Sequence, residues 1–146
     1  MIIHTIGFTK KGAQTFFELL KTANVKQVVD VRLNNSSQLA GFAKRDDLKY
    51  FLEKFCNIKY FYEPLLAPTK EMLDEYKKNG GNWETYEARF TELMIKRKIE
   101  DNISKDMVDQ GCLLCSEDKP HNCHRRIVAE YFRDRWAGET KISHLT

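Results

Sequence analysis

The sequence predicts a single-domain α/β fold: a mainly parallel sheet with helices on both faces, a Rossmann-like three-layer architecture. Three observations predict it. Short β-rich runs alternate with stretches of helical periodicity almost from end to end, the order that yields parallel strands joined by crossover helices. A chain of 146 residues is long enough to bury roughly two thirds of its unfolded surface in one core. No internal repeat and no linker-like stretch divides residues 1–146, and 42% apolar with 12% aromatic residues exclude a disordered or low-complexity chain.

Each element has its own signal. Ile2 to Phe8 is a β-rich run. Ala13, Phe16, Phe17, Leu20 and Ala23 then follow at steps of three and four, one face of a helix. Lys26 to Arg32 reads as a buried strand around Val28-Val29 and Val31, followed by the loop Asn34-Asn35-Ser36-Ser37. Asp46 or Asp47 is expected to cap a helix whose face is Leu48, Phe51, Leu52 and Phe55. Ile58 to Tyr62 is a third strand closed by Pro64. Thr69 is placed to cap a helix over Glu71 to Lys78 that ends at Gly80-Gly81. Trp83 to about Val108 reads as one long helical stretch, with Tyr86, Phe90, Leu93 and Met94 on one side. Gly111 to Ser116, a helix near residues 122–136 and a strand at Lys141 to Leu145 complete the pattern.

Bulk charge narrows the function classes only a little. A net charge of +3 with 31% charged residues is too weak an excess to argue for nucleic acid by itself. Met1 to Gly7 lacks a basic leader, and no apolar run approaches the ~20 residues of a membrane helix. Cys56, Cys112, Cys115 and Cys123 are therefore expected in a reducing cytoplasm, as free or metal-bound thiols.

Chemistry-bearing residues concentrate between Cys112 and Arg126, where an apolar strand passes through a polar turn built on Pro120 and Asn122 into a helix. In an open parallel sheet, ligands sit beyond the carboxyl ends of the strands. Those ends are Gly7 to Lys10, Asp30 to Arg32, Tyr62-Glu63 and Cys115 to Glu117, with His144 on the last strand. Asp30, Arg32, Cys115, Glu117, His124 and Arg125 are thus expected around one rim. Bland readings stand beside this one. Asp30 and Arg32 pair with each other if buried, Glu117 and Asp118 are loop charges, and Arg126, Arg133 and Arg135, interspersed with Glu130 and Asp134, form a solvated face.

The thiols divide by geometry. Cys112 and Cys115, three apart on a strand, point to opposite faces, so Cys112 reads as core, as does Cys56. Cys115 sits where a strand leaves the sheet, and Cys123 at or near a helix N-terminus beside His124 and Arg125, where the helix dipole and positive neighbours lower a thiol pKa. A nucleophilic thiolate and a thiol that only shapes an anion pocket both suit that position. A metal held by Cys115, Cys123, His121 and His124 is a further alternative, but the spacing matches no common zinc signature, and no metal is assigned. Walker, dinucleotide-binding, nucleophile-elbow and zincin motifs are all absent, and no cofactor is expected.

Val28-Val29-Asp30-Val31-Arg32 with its Ser-bearing loop, then Leu113-Leu114-Cys115-Ser116-Glu117 leading to Cys123-His124-Arg125, resembles the family known as domain of unknown function 488. Gly7, Asp30, Arg32, Cys115, Glu117, Cys123, His124 and Arg125 match that family's pattern over nearly the whole chain. The resemblance implies a compact, cytoplasmic, prokaryotic-type α/β domain with these polar groups clustered, and no particular activity. Members often carry Pro-x-Ser after the arginine, where this chain has Asn34-Asn35-Ser36-Ser37, so no proline fixes that loop. A weaker likeness is to rhodanese domains, which also pair an aspartate-valine-arginine strand with a cysteine-bearing strand. Their tight loop of cysteine to arginine is stretched here to the interval from Cys115 to Arg125.

Three functional readings follow. In the first, Gly7, Asp30, Arg32, Arg125 and the helix N-terminus bind an anionic, phosphate-bearing ligand, with Cys115 or Cys123 as nucleophile or redox thiol and Glu117 and His124 moving protons. In the second, the partner is nucleic-acid phosphate, met by Lys96-Arg97-Lys98 and the last helix, with Trp83, Tyr60 and Tyr62 stacking on bases. In the third, the polar cluster is a structural lock in a non-catalytic interaction domain.

Overall fold

Short runs rich in Val, Ile, Leu and Tyr favour extended backbone, and five of them pair into one sheet: β1 (Ile2–Gly7), β2 (Gln27–Asp30), β3 (Lys59–Tyr62), β4 (Gly111–Cys115) and β5 (Lys141–Leu145). The computed structural model describes residues 1–36, 41–78 and 80–146. The strand order is β3-β2-β4-β1-β5 and every pairing is parallel, so the expected "mainly parallel" sheet is wholly parallel among these residues. Between the strands lie α1 (Ala13–Thr22), α2 (Arg45–Phe55), α3 (Lys70–Lys78), α4 (Trp83–Arg97), α5 (Ile99–Asn102), α6 (Lys105–Val108) and α7 (His124–Arg135). No helix among the described residues is long and apolar enough to cross a membrane.

Strand alternation gives each face its own core. On one face Phe16 and Leu20 of α1 and Leu48 and Leu52 of α2 pack with Ile6, Val28, Cys112 and Leu114. On the other, Phe90 and Met94 of α4 and Ile127, Val128 and Phe132 of α7 pack with Ile3, Val29, Leu113 and Cys115. Cys112 and Cys115 thus face opposite layers, as their spacing predicts. Register aligns the strand ends that matter: Gly7 lies beside Cys115, and Asp30 beside Leu114.

Four expectations change. The run read through Arg32 pairs only to Asp30. Asp46 and Asp47 lie in the first turn of α2, whose N-cap is Lys44 without a side-chain cap; they favour the helix dipole there instead of capping it. Phe55, assigned to the buried face of that helix, is 64% exposed. The stretch from Trp83 to Val108 is three helices, because Lys98 takes a left-handed conformation (φ 51°), and the Asn102 amide donates to the carbonyls of Arg97 and Lys98 that the break leaves open. Ser104 then caps α6 by accepting from Asp106 N. Thr69 caps the first turn of α3 as expected, accepting from Met72 N at 3.2 Å. Ser37, in the loop after Arg32, lies outside the described residues.

Phe90 ties the α4 layer to the site: it is fully buried, parallel to Tyr86, and 5.3 Å from the His124 ring. Phe90→Ala should cost about 3–5 kcal/mol by cavity formation. Urea denaturation checks this, and a loss under about 1 kcal/mol would show that the layer collapses to fill the void.

Candidate functional site at the β4–α7 junction

Beyond β4 the chain turns through residues 116–122 and re-enters the core at Cys123, the N-cap of α7. Hydrogen bonds from Thr9 N and Oγ1 to Ser116 O fix the start of the turn, and an ion pair of Lys11 with Asp118 at 2.7 Å fixes its middle. From below it is held by Arg125, whose side chain is fully buried. Arg125 Nη1 donates to Glu117 O and Nη2 to Asp118 O, the latter at 3.1 Å. Its Nε donates to Thr5 Oγ1 at 3.4 Å, and Nη1 also reaches Cys123 Sγ at 3.5 Å. Thr5 in turn donates to His144 Nδ1 at 2.7 Å. Burial, then Arg125, hold the His144 imidazole below its usual pKa and so as a neutral acceptor.

Gly7 makes this arrangement sterically available. A Cβ there would overlap the Glu117 carbonyl and stand 2.9 Å from Arg125 Nη1. Only a residue without a side chain lets the turn lie directly against the end of β1.

The two sulfurs of Cys115 and Cys123 and a ring nitrogen of His124 lie within 4.8 Å of one another, all on buried residues. His124 Nε2 is 2.7 Å from Val31 O, and Nδ1 is 3.5 Å from Cys115 Sγ. A carbonyl only accepts, so Nε2 carries the proton and Nδ1 turns toward the thiol. The thiols titrate as a pair. Cys123 is held well below the usual thiol range, first by the hydrogen bond from Cys115, then by His124 and Arg125, all acting against burial. Cys115 keeps its proton and is pushed up, through that same bond and through burial. Cys112 and Cys56 are pushed up mainly by burial and lie outside the cluster.

Cys115, Cys123 and His124 open onto a cavity of about 270 Å³, also walled by Arg32, Glu117, Asn122, Lys77, Trp83 and Tyr86. Arg32 reaches it because Asp30 positions it: Nε–Oδ1 and Nη2–Oδ2 are both 2.9 Å. Asp30 itself is fully buried and also accepts from Tyr60 Oη at 2.5 Å, so it stands behind the wall. Burial and Asp30 together push the Tyr60 phenol above its usual pKa.

The structure therefore brings Arg32, Cys115, Glu117, Cys123 and His124 to one cavity. Asp30, Gly7 and Arg125 are placed around it, outside the wall. Asp30 and Arg32 do pair, as the bland reading has it. His121 is exposed and outside the cluster of donor atoms. Two sulfurs and one imidazole nitrogen are a donor set that a soft ion with an open fourth position could use, whereas the Arg125 cation beside Cys123 works against a divalent charge.

Of the aromatic and basic groups read for nucleic acid, Tyr60 is corrected: it is buried on Asp30 and has no free face. Arg97 donates to Leu65 O and Ala67 O at 2.7 Å each. The wall of Leu73, Tyr76, Lys77 and Tyr86 from α3 and α4 is missing from the sequence reading. A list of strand ends cannot contain it, and the signal that was present was the apolar side of α4 itself.

An all-parallel three-layer α/β protein with paired thiols at the β4–α7 junction is the class that these features define. A family model described as domain of unknown function DUF488 matches residues 12–132, and the chain belongs to that family. No curated protein and no solved structure matches the chain significantly.

Because the turn rests on Gly7, Gly7→Ala should displace residues 116–118 and cost about 1–3 kcal/mol by overpacking. Thermal unfolding checks this. A melting temperature equal to that of the parent would show that the turn yields freely.

Proposed function

We propose that this protein is a thiol-dependent enzyme that takes an anionic, phosphate-bearing small molecule into the cavity at the ends of β2 and β4, with Cys123 as the attacking thiolate. One observation carries the reading. Arg125 is fully buried, and its hydrogen bonds among the described residues go to two backbone carbonyls, a threonine hydroxyl and the Cys123 sulfur, with no carboxylate partner. A buried cation without a counter-charge costs several kcal/mol; a thiolate at Cys123 supplies that charge.

The remaining roles follow from position. Arg32 and Lys77, on the cavity wall, hold the anionic part of the substrate. Cys115 donates to the thiolate, and His124 Nδ1 stands 3.5 Å from the Cys115 sulfur to take or return that proton. Glu117, exposed at the cavity mouth, is placed to exchange protons with the leaving group. The whole apparatus falls within a single domain over residues 1–146, and thiols that must stay reduced to act suit the cytoplasm.

Iodoacetamide labelling followed across pH, with the modified residue mapped by mass spectrometry, tests this. Cys123 should label first and well below about pH 8, the range of an ordinary thiol, and inorganic phosphate should slow it. Uniform slow labelling of all the thiols, with no effect of phosphate, would remove both the nucleophile and the anion site.

A further inference from the structure

Cys123 alone would suffice for attack, yet a second buried thiol faces the same cavity, with a ring nitrogen of His124 beside it. The separation of the two sulfurs is below 4.8 Å, and both residues line the cavity. The Cys115 sulfur lies 3.5 Å from His124 Nδ1, while the opposite ring nitrogen donates to Val31 O at 2.7 Å. A merely structural cysteine needs no imidazole beside it; the fully buried Cys112 on the other face of the same strand belongs to the apolar cluster there.

We infer that Cys115 is the resolving thiol of a two-cysteine site, and that the reaction is thiol–disulfide exchange with a small anionic disulfide. This rests on the reading of Cys123 as the attacking thiolate. In the first step the Cys123 thiolate attacks one sulfur of the substrate disulfide. A mixed disulfide forms on Cys123, the substrate S–S bond breaks, and the other half leaves as a thiolate. In the second step Cys115 gives its proton to His124 Nδ1 and attacks Cys123 Sγ. The Cys115–Cys123 bond forms, and the bond from Cys123 to the bound half breaks. That half departs as a thiolate and takes the proton from His124. The substrate is reduced to two thiols, the protein pair is oxidised to a disulfide, and an external dithiol returns it to the reduced form. The sulfurs would close to about 2.05 Å from a separation already below 4.8 Å. The Arg32 and Lys77 side of the cavity selects a disulfide that carries carboxylates or phosphates.

The full-length protein treated with glutathione disulfide, quenched in acid and mapped by mass spectrometry, tests this directly. The parent should accumulate a Cys115–Cys123 disulfide and almost no mixed disulfide. Cys115→Ser should hold at least about tenfold more glutathione on Cys123, and Cys123→Ser should hold none there. Uncharged hydroxyethyl disulfide should react more slowly with the parent than glutathione disulfide does. A stable mixed disulfide on Cys123 in the parent would overturn the inference while leaving the attacking thiolate intact. Absence of any reaction at Cys123 would remove both readings. Stoichiometric zinc that shields both thiols in the purified protein would overturn the inference too, and mapping the parent disulfide decides the matter even where Cys115→Ser fails to fold.

Discussion

The buried guanidinium of Arg125 is the constraint on which the site depends. It projects from the first turn of α7 toward the ends of β1 and β4, and it is the largest fully buried side chain among the described residues. There it joins Thr5 on β1, the carbonyls of Glu117 and Asp118 in the turn, and Cys123 at the helix cap. Without it the part-buried carbonyls of Glu117 and Asp118 would lose these donors, and a hydrogen bond to a charged group contributes about 1.5–3 kcal/mol. Gly7 is the matching constraint on the sheet side, because the turn and the guanidinium occupy the space that a side chain at that position would need.

The two thiols are separated by the hydrogen bond between them. Cys123, on the N-cap of α7, is held down first by the bond from Cys115 and only then by His124 and Arg125, and Cys115 at the strand end is pushed up by that same bond and by burial. Asp30 orders the other side of the site. Its carboxylate binds the Arg32 guanidinium in a two-point pair and takes the Tyr60 hydroxyl as well. The pair is buried, so its geometry is fixed by contacts on several sides, and Arg32 reaches the cavity in one orientation.

The layer order was legible because period-two and period-3.6 patterns alternate along the chain, and the last strand lies at Lys141–Leu145 as its pattern predicts. Opposite placement of Cys112 and Cys115 followed from strand alternation alone, and Cys123 at a helix start from the polar turn before it. Element ends were less legible. The break at Lys98 depends on a left-handed residue and on an amide four and five positions away, which leaves no mark in apolar spacing. Rim residues were readable from the rule for parallel sheets, but that rule does not distinguish a side chain that enters the cavity from one that stands behind it. Asp30, Gly7 and Arg125 are of the second kind. The aromatic wall was hidden for another reason: α3 and α4 come to the rim through tertiary packing, and nothing local in Tyr76 or Tyr86 distinguishes a cavity wall from ordinary core.

In the function proposed here, charge at Cys123 balances the buried Arg125. Ultraviolet absorbance of thiolate, followed as a function of pH in the parent and in Cys123→Ser, measures it directly. An ionisation step well below the ordinary thiol range of about 8.5 is expected in the parent and not in Cys123→Ser, with the other cysteines ionising above that range. Ionisation of every thiol in the parent at or above the ordinary range would contradict it.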